Sequence, residues 1–143
     1  MSKPKKAFTL IELLVSIAII GAIISISMVS FSNVRQKARD TKRISDIKLI
    51  QKSLENYYRN EGSYPASLTP GQSLIGSSSN VVYTQVPENP YPRNDGNCPD
   101  SNYIYQASGN SYTIDFCLSE TTSQLSAGNK CATPQGIKNE ICN

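Results

Sequence analysis

Three features of this 143-residue chain have residue types and spacings that could do chemistry: four cysteines, an acidic loop, and one carboxylate set in an apolar run. The cysteines, Cys98, Cys117, Cys131 and Cys142, all lie in the last third, and no C-x-x-C pair occurs. An even number without metal-ligand spacing reads as disulfides, which place this part of the chain in an oxidising compartment outside the cytoplasm. Four cysteines allow three pairings, and sequence alone does not choose among them. Cys98–Cys117 with Cys131–Cys142 is favoured, because the first would tie an incoming loop to a strand and the second would pin the tail. In RNDGNCPDSN, residues 93–102, Asp95, Asn97, Asp100 and Asn102 offer oxygen donors at near-alternate positions, a spacing that can hold calcium. The EF-hand pattern is absent and Asp-Gly is also turn chemistry. No metal is assigned, and Asp95, Asn97 and Asp100 are the residues that would hold one. The chain has no His, no Gly-rich phosphate loop and no GxSxG, so it offers no catalytic constellation and no cofactor site.

The third feature is Glu12. Lys3, Lys5 and Lys6 precede an apolar stretch, and from Leu13 to Val34 no residue is charged, a run of 22 residues. As a helix that run is roughly 33 Å long, enough to cross a bilayer core. It fits a signal-anchor helix, or a cleaved secretory signal with small residues at Ser25 and Ser27. Neither needs Glu12. A carboxylate costs roughly 2.5–3.5 kcal/mol at the centre of an inserted helix and less near its end. Glu12 therefore calls for a partner: Lys5 or Lys6 at headgroup level, the positive end of the helix dipole, or a free α-amine created by a cut before Phe8.

The run Lys5-Lys6-Ala7-Phe8-Thr9-Leu10-Ile11-Glu12-Leu13-Leu14 resembles the class III signal of type IV pilins and the related pseudopilins: a short basic leader, a small residue, Phe-Thr-Leu-Ile-Glu, then an apolar helix. The resemblance implies cleavage between Ala7 and Phe8 by a prepilin peptidase, N-methylation of Phe8, and Glu12 as the carboxylate that pairs with a neighbour's amine during assembly. It also implies an inner-membrane assembly platform as partner, and packing with itself and other pilins into a helical filament. Ala7 stands where the family usually carries Gly. Gly21, beside Ala18 and Ala22, suits close helix contact or the local unwinding seen in such filaments, although the Pro often found downstream is missing. Both flanks of the apolar run are basic, so charge counting does not orient it. The cysteines and the resemblance place the C-terminal part outside the cytoplasm, on a single-pass membrane protein that becomes a surface filament.

These residues need elements to position them. Val34, Ala38, Thr41, Ile44, Ile47, Ile50, Leu54, Tyr57 and Tyr58 recur at steps of three or four, with Arg35, Lys37, Arg39, Lys42, Arg43, Lys48 and Lys52 between them, the pattern of an amphipathic helix. With no Pro, and no Gly between residue 22 and the stop at Gly62, one helix of about 53 residues is predicted from Phe8 to Asn60, roughly 80 Å long. Residues 61–80 read as a Gly/Pro/Ser loop with a short helical turn near Gln72–Ile75, and Ser77–Ser79 as flexible rather than modified. A strand is expected at Val81–Val86, then a hairpin of Tyr103–Ala107 and Ser111–Leu118, whose Tyr112, Ile114 and Phe116 share one face. Residues 119–143 read as an irregular surface tail held by Cys131 and Cys142. The expected fold is α+β: a long helix packed on a small antiparallel sheet. Its organisation is a leader (1–7), a transmembrane and filament-core helix (8–34), its amphipathic continuation (35–61) and a β-sheet head (62–143).

Charge is divided along the chain. Residues 35–59 carry eight Lys/Arg against three Asp/Glu, and residues 61–143 three against seven. The basic helix could attract DNA or anionic lipid headgroups, but no aromatic platform supports nucleic-acid binding. A solvated face that pairs with acidic heads of neighbouring subunits fits better. The chain is thus expected to be a structural prepilin, in contact with membrane lipid before assembly, and not an enzyme. Its alternatives are a pseudopilin of a type II secretion or DNA-uptake machine, and a monomeric membrane-anchored extracytoplasmic binding domain.

Overall fold

The computed structural model describes residues 8–122 and 124–142, and the side chains of residues 26–30 lie outside that description. Helix α1 spans Leu10–Glu61. The chain divides into two compact units between Arg35 and Gln36. In the first, the helix exposes its apolar side chains in every direction, Leu10, Ile11, Leu13, Leu14, Ile17, Ile20 and Ile24 among them. Ser16 Oγ donates to the Glu12 carbonyl at 2.6 Å and Ser25 Oγ to the Gly21 carbonyl at 2.8 Å, so these two hydroxyls are satisfied within the helix.

In the second unit, hereafter the head, α1 ends where Gly62 adopts φ +78° and its N–H reaches the Tyr58 carbonyl at 2.9 Å. That is a left-handed C-terminal cap, a conformation only Gly takes without cost. Strands β1 (Ser73–Ile75) and β2 (Val82–Gln85) form an antiparallel ribbon. Strands β3 (Ile104–Ser108), β4 (Ser111–Leu118), β5 (Gly128–Thr133) and β6 (Gly136–Lys138) form an antiparallel meander in that spatial order. Ser108 pairs with Ser111 across Gly109, at φ +56°, and Asn110, a Gly-first two-residue hairpin turn.

Ile47, Ile50, Leu54 and Tyr57 of α1 join Tyr112, Ile114, Phe116 and Leu118 of β4, Ala132 of β5, and Leu74 and Val86 in one core. The alternation along β4 puts its apolar face on the helix. Burying each such side chain is worth roughly 1.5–3 kcal/mol before entropy is counted.

Three expectations are corrected. Gln72–Ile75 is not a helical turn: Ser73–Ile75 is β1, with Leu74 buried between exposed neighbours. Three residues are too few to show a period of two. Residues 119–143 are not an irregular tail. They supply β5 and β6, and β5 sits inside the sheet between β4 and β6. Its sequence, GNKCAT, has little intrinsic strand character, and the ladder to β4 overrides propensity. The helix stripe is correct from Ile47 onward but not before it: Val34, Ala38 and Thr41 are exposed, while Asp40, Arg43 and Asp46 are buried.

Candidate processing and assembly site

Ala7 and the leader lysines Lys3, Lys5 and Lys6 lie outside the described residues. Phe8 and Thr9 come just before the helix, and Phe8 is 82% exposed. Glu12 Oε2 accepts hydrogen bonds from the Thr9 N–H at 2.8 Å and the Thr9 hydroxyl at 2.7 Å, while the Glu12 N–H donates to Thr9 Oγ1 at 3.3 Å. This is a capping box: Thr9 is the N-cap residue, Glu12 the third helical residue, and two backbone donors are satisfied reciprocally. The Thr-x-x-Glu signal is present in the sequence, but the partners considered there for Glu12, cations and the helix dipole, left out Thr9. Among the described residues no cation meets Glu12. Its carboxylate is hydrogen-bonded by neutral donors and remains open to an added positive group.

The head contains a second polar cluster that periodicity did not reveal. Arg43 is 0% exposed, and every face of its guanidinium is used. Nε donates to Asn89 Oδ1 at 2.8 Å, and Nη1 to Asp40 Oδ1 at 2.7 Å. Nη2 reaches the carbonyls of Pro92 and Arg93 at 3.3 and 3.2 Å, and Asp95 Oδ2 at 3.3 Å. Arg39 forks onto the two oxygens of Asp95. Asp40 also accepts from the N–H groups of Ser119 and Glu120 and from the Ser119 hydroxyl. Asp46 pairs with Lys42 and accepts from the Tyr103 hydroxyl. Buried charges survive only when paired and hydrogen-bonded, and here the pairing binds α1 to loop 89–103 and to the end of β4. Arg39 and Arg43 are therefore not part of a solvated basic face but internal counter-ions.

Asp95, one of the residues that would hold a calcium ion, has its carboxylate facing two guanidinium groups. Asn102 is turned to the Asn89 and Tyr103 N–H groups, while Asn97 and Asp100 are exposed. Among the described residues no cluster of three or more His, Cys, Asp or Glu is arranged to hold a metal. Cys98 is bonded to Cys117, 5.6 Å between Cα atoms, and Cys131 to Cys142, 5.0 Å. The first bridge joins the Asp95 loop to β4, and the second joins β5 to the segment after β6.

Elsewhere the head is tuned by burial and hydrogen bonding. Burial, reinforced by Asp46, pushes the Tyr103 phenol well above its usual range. Burial and the bond to Glu55 raise Tyr64 to about 12. Glu61, at the end of α1, accepts from the Ser79 and Ser77 hydroxyls and the Ser78 and Ser79 N–H groups, which lower it to about 2. Ser77–Ser79 are thus gathered around a carboxylate.

Among the described residues no helix is long and apolar enough to cross a membrane. The uncharged run counted in the sequence includes residues 26–30, whose side chains lie outside that description.

Residues 2–28 match a family pattern described as the prokaryotic N-terminal methylation motif. The chain is also similar to several proteins called type II secretion system core protein G. It is 26% identical to that of Pectobacterium carotovorum subsp. carotovorum, over 80% of this chain and 66% of the relative. The Klebsiella pneumoniae protein is 25% identical over 80% of this chain and 74% of its own length. The Escherichia coli K12 protein is 31% identical over 50% of this chain and 49% of its own. No solved structure matches. The methylation motif at its N-terminus and its similarity to type II secretion proteins, together with a capped apolar helix and a disulfide-bridged α+β head, support a likeness to the type IV pilin and pseudopilin family.

Proposed function

We propose that this chain is a prepilin, the structural subunit of a type IV pilus-like filament. In this reading a prepilin peptidase cuts between Ala7 and Phe8 and methylates the Phe8 amine. The subunit waits in the membrane as a single-pass protein with its head outside the cytoplasm, and an inner-membrane platform adds it to the filament. The observation that carries the proposal is the Thr9–Glu12 capping box beside an exposed Phe8. Before assembly, Thr9 offsets part of the cost of a carboxylate at the edge of the hydrocarbon. The same carboxylate has no cation among the described residues, so a neighbour's Phe8 amine can supply one. The apolar surface of α1 would face lipid in storage and other helices in the filament.

The names of the relatives favour a second, narrower reading, a pseudopilin of a type II secretion machine. Long surface filaments would support the pilus; loss of secretion on deletion, without such filaments, would support the pseudopilus. Mass spectrometry of the N-terminal peptide tests the shared core of both. N-methylated Phe8 in membrane and sheared fractions is the expected result. An intact leader, or a cut near Ser27, would overturn it.

A further inference from the structure

The head carries a groove of about 650 Å³ between α1 and the edge strand β6. Ile44, Leu125 and Ile137 give it apolar walls, and Lys48, Gln51 and Asn139 a polar rim. The other flank of the same helix carries loop 88–100, bound through Arg39 and Arg43 to Asp95. Arg39 and Lys48 are nine residues apart and so point roughly 180° from each other, at about 100° per residue. Groove and loop therefore lie on opposite flanks of one helix.

The loop presents an aromatic side chain. Tyr91 is 74% exposed, an unusual state for a ring in a loop whose backbone is so firmly held. Arg43 anchors the Pro92 and Arg93 carbonyls from beneath, and the Arg93 guanidinium lies over the Tyr91 ring at 5.2 Å while pairing with Glu88 at 3.3 Å. A pre-ordered aromatic loses little freedom when it enters a partner's cleft. Lys48 is the charged residue among those lining the groove. The exposed charges of the Tyr91 loop are Glu88 and Asp100, opposite in sign to Lys48.

We propose that the Tyr91 loop of one copy of this chain docks into the α1–β6 groove of the next. The two surfaces cannot meet within one chain. A contact between unlike patches of identical chains is heterologous, and repeated without closure it builds an open helix. The proposal rests on the filament reading and adds the head-to-head contact that sets the order of copies. It also gives Lys48 of α1 a partner, while Arg39 and Arg43 stay internal.

A photo-crosslinking phenylalanine analogue placed at position 91 of the full chain tests this in filaments sheared from cells. The expected result is an intermolecular adduct on peptides containing Ile44, Leu125 or Ile137. Charge exchange gives an independent readout: Lys48→Glu should lower filament yield several-fold, and adding Glu88→Lys should restore it. Adducts on another surface or another protein, or a Lys48→Glu yield equal to wild type, would overturn the contact while leaving the filament intact. If the unmodified chain entered no filament at all, the filament reading itself would fail, and this contact with it.

Discussion

Glu12 and Arg43 are both charged residues in places that simple polarity rules would keep apolar, and they are accommodated in different ways. Glu12 is met by one neutral neighbour, Thr9, through a local motif three residues wide. Such a contact is easily exchanged, as the proposed assembly role of Glu12 requires. We expect Glu12→Ala to insert in the membrane but to be missing from sheared filaments. A mutant that assembles like wild type would remove Glu12 from assembly and leave the monomeric anchored domain as the better account. Arg43 is held by contacts spread over 50 residues of sequence and is not exchangeable. Removing one partner of a buried ion pair typically costs about 3–5 kcal/mol, so Arg43→Ala should destabilise the head by that order. All eight tyrosines lie between residues 57 and 112 and the chain has no Trp, so the tyrosine band of near-ultraviolet circular dichroism reports on the head alone. A loss below about 1 kcal/mol by that signal would mean that the Arg43 cluster is dispensable.

At the scale of elements, short strands depend on what fastens them. β6 has three residues and pairs only with β5. Behind it, Cys142 is tied to Cys131, its N–H donates to Asp115 Oδ1 at 3.2 Å, and Asn139 accepts from the Ser126 N–H at 3.0 Å. The bridge closes a loop of 11 residues, and chain-entropy reasoning puts its contribution at about 3 kcal/mol. Replacing both cysteines by Ser should lower head stability by roughly that amount, with loss of amide protection concentrated in β6. Equal loss across the whole sheet would show that β5 and β6 do not form a separate fastening. At the end of α1, Glu61 fastens the turn before β2. Its pKa is depressed to about 2 from an ordinary value of 4.5. A depressed carboxylate adds stability that is fully present above the unfolded value and lost as pH falls through the folded one. Glu61→Gln should therefore be less stable than wild type at pH 7, and the two should converge as pH drops from about 4.5 towards 2. A gap that stays constant over that range would mean the charge of Glu61 does not hold the turn.

For the whole molecule, the two units solve different problems. The described apolar side chains of the first unit, from Leu10 to Ile24 and at Phe31 and Val34, are exposed all round, and a helix of that kind needs lipid or other helices around it. The head is self-sufficient in its core, but its surface is asymmetric, with an aromatic loop on one flank of α1 and a groove on the other. The hydrophobic effect has no direction, so a filament packed only through apolar helices would have weak register. Opposed head surfaces can supply it.

Much of this was legible in the sequence. Apolar run, helix stripe from Ile47 onward, hairpin, Gly62 stop and even cysteine count follow from local periodicity, turn chemistry and composition, which act within a few residues. The Thr9–Glu12 cap is equally local, yet only the structure brought it out, because the carboxylate drew attention to cations and not to its neutral neighbour. What tertiary structure decided was every feature whose cause lies far along the chain. Asp40, Arg43 and Asp46 look like surface charges until loop 89–103 and the end of β4 supply partners 40–80 residues away. Asp95 looks like a calcium ligand until two arginines from α1 reach it. GNKCAT becomes a strand only because β4 offers an unpaired edge. Local patterns specify where elements begin and end, whereas burial of a charge, or pairing of a weak strand, is favourable only once the partner has been brought into contact.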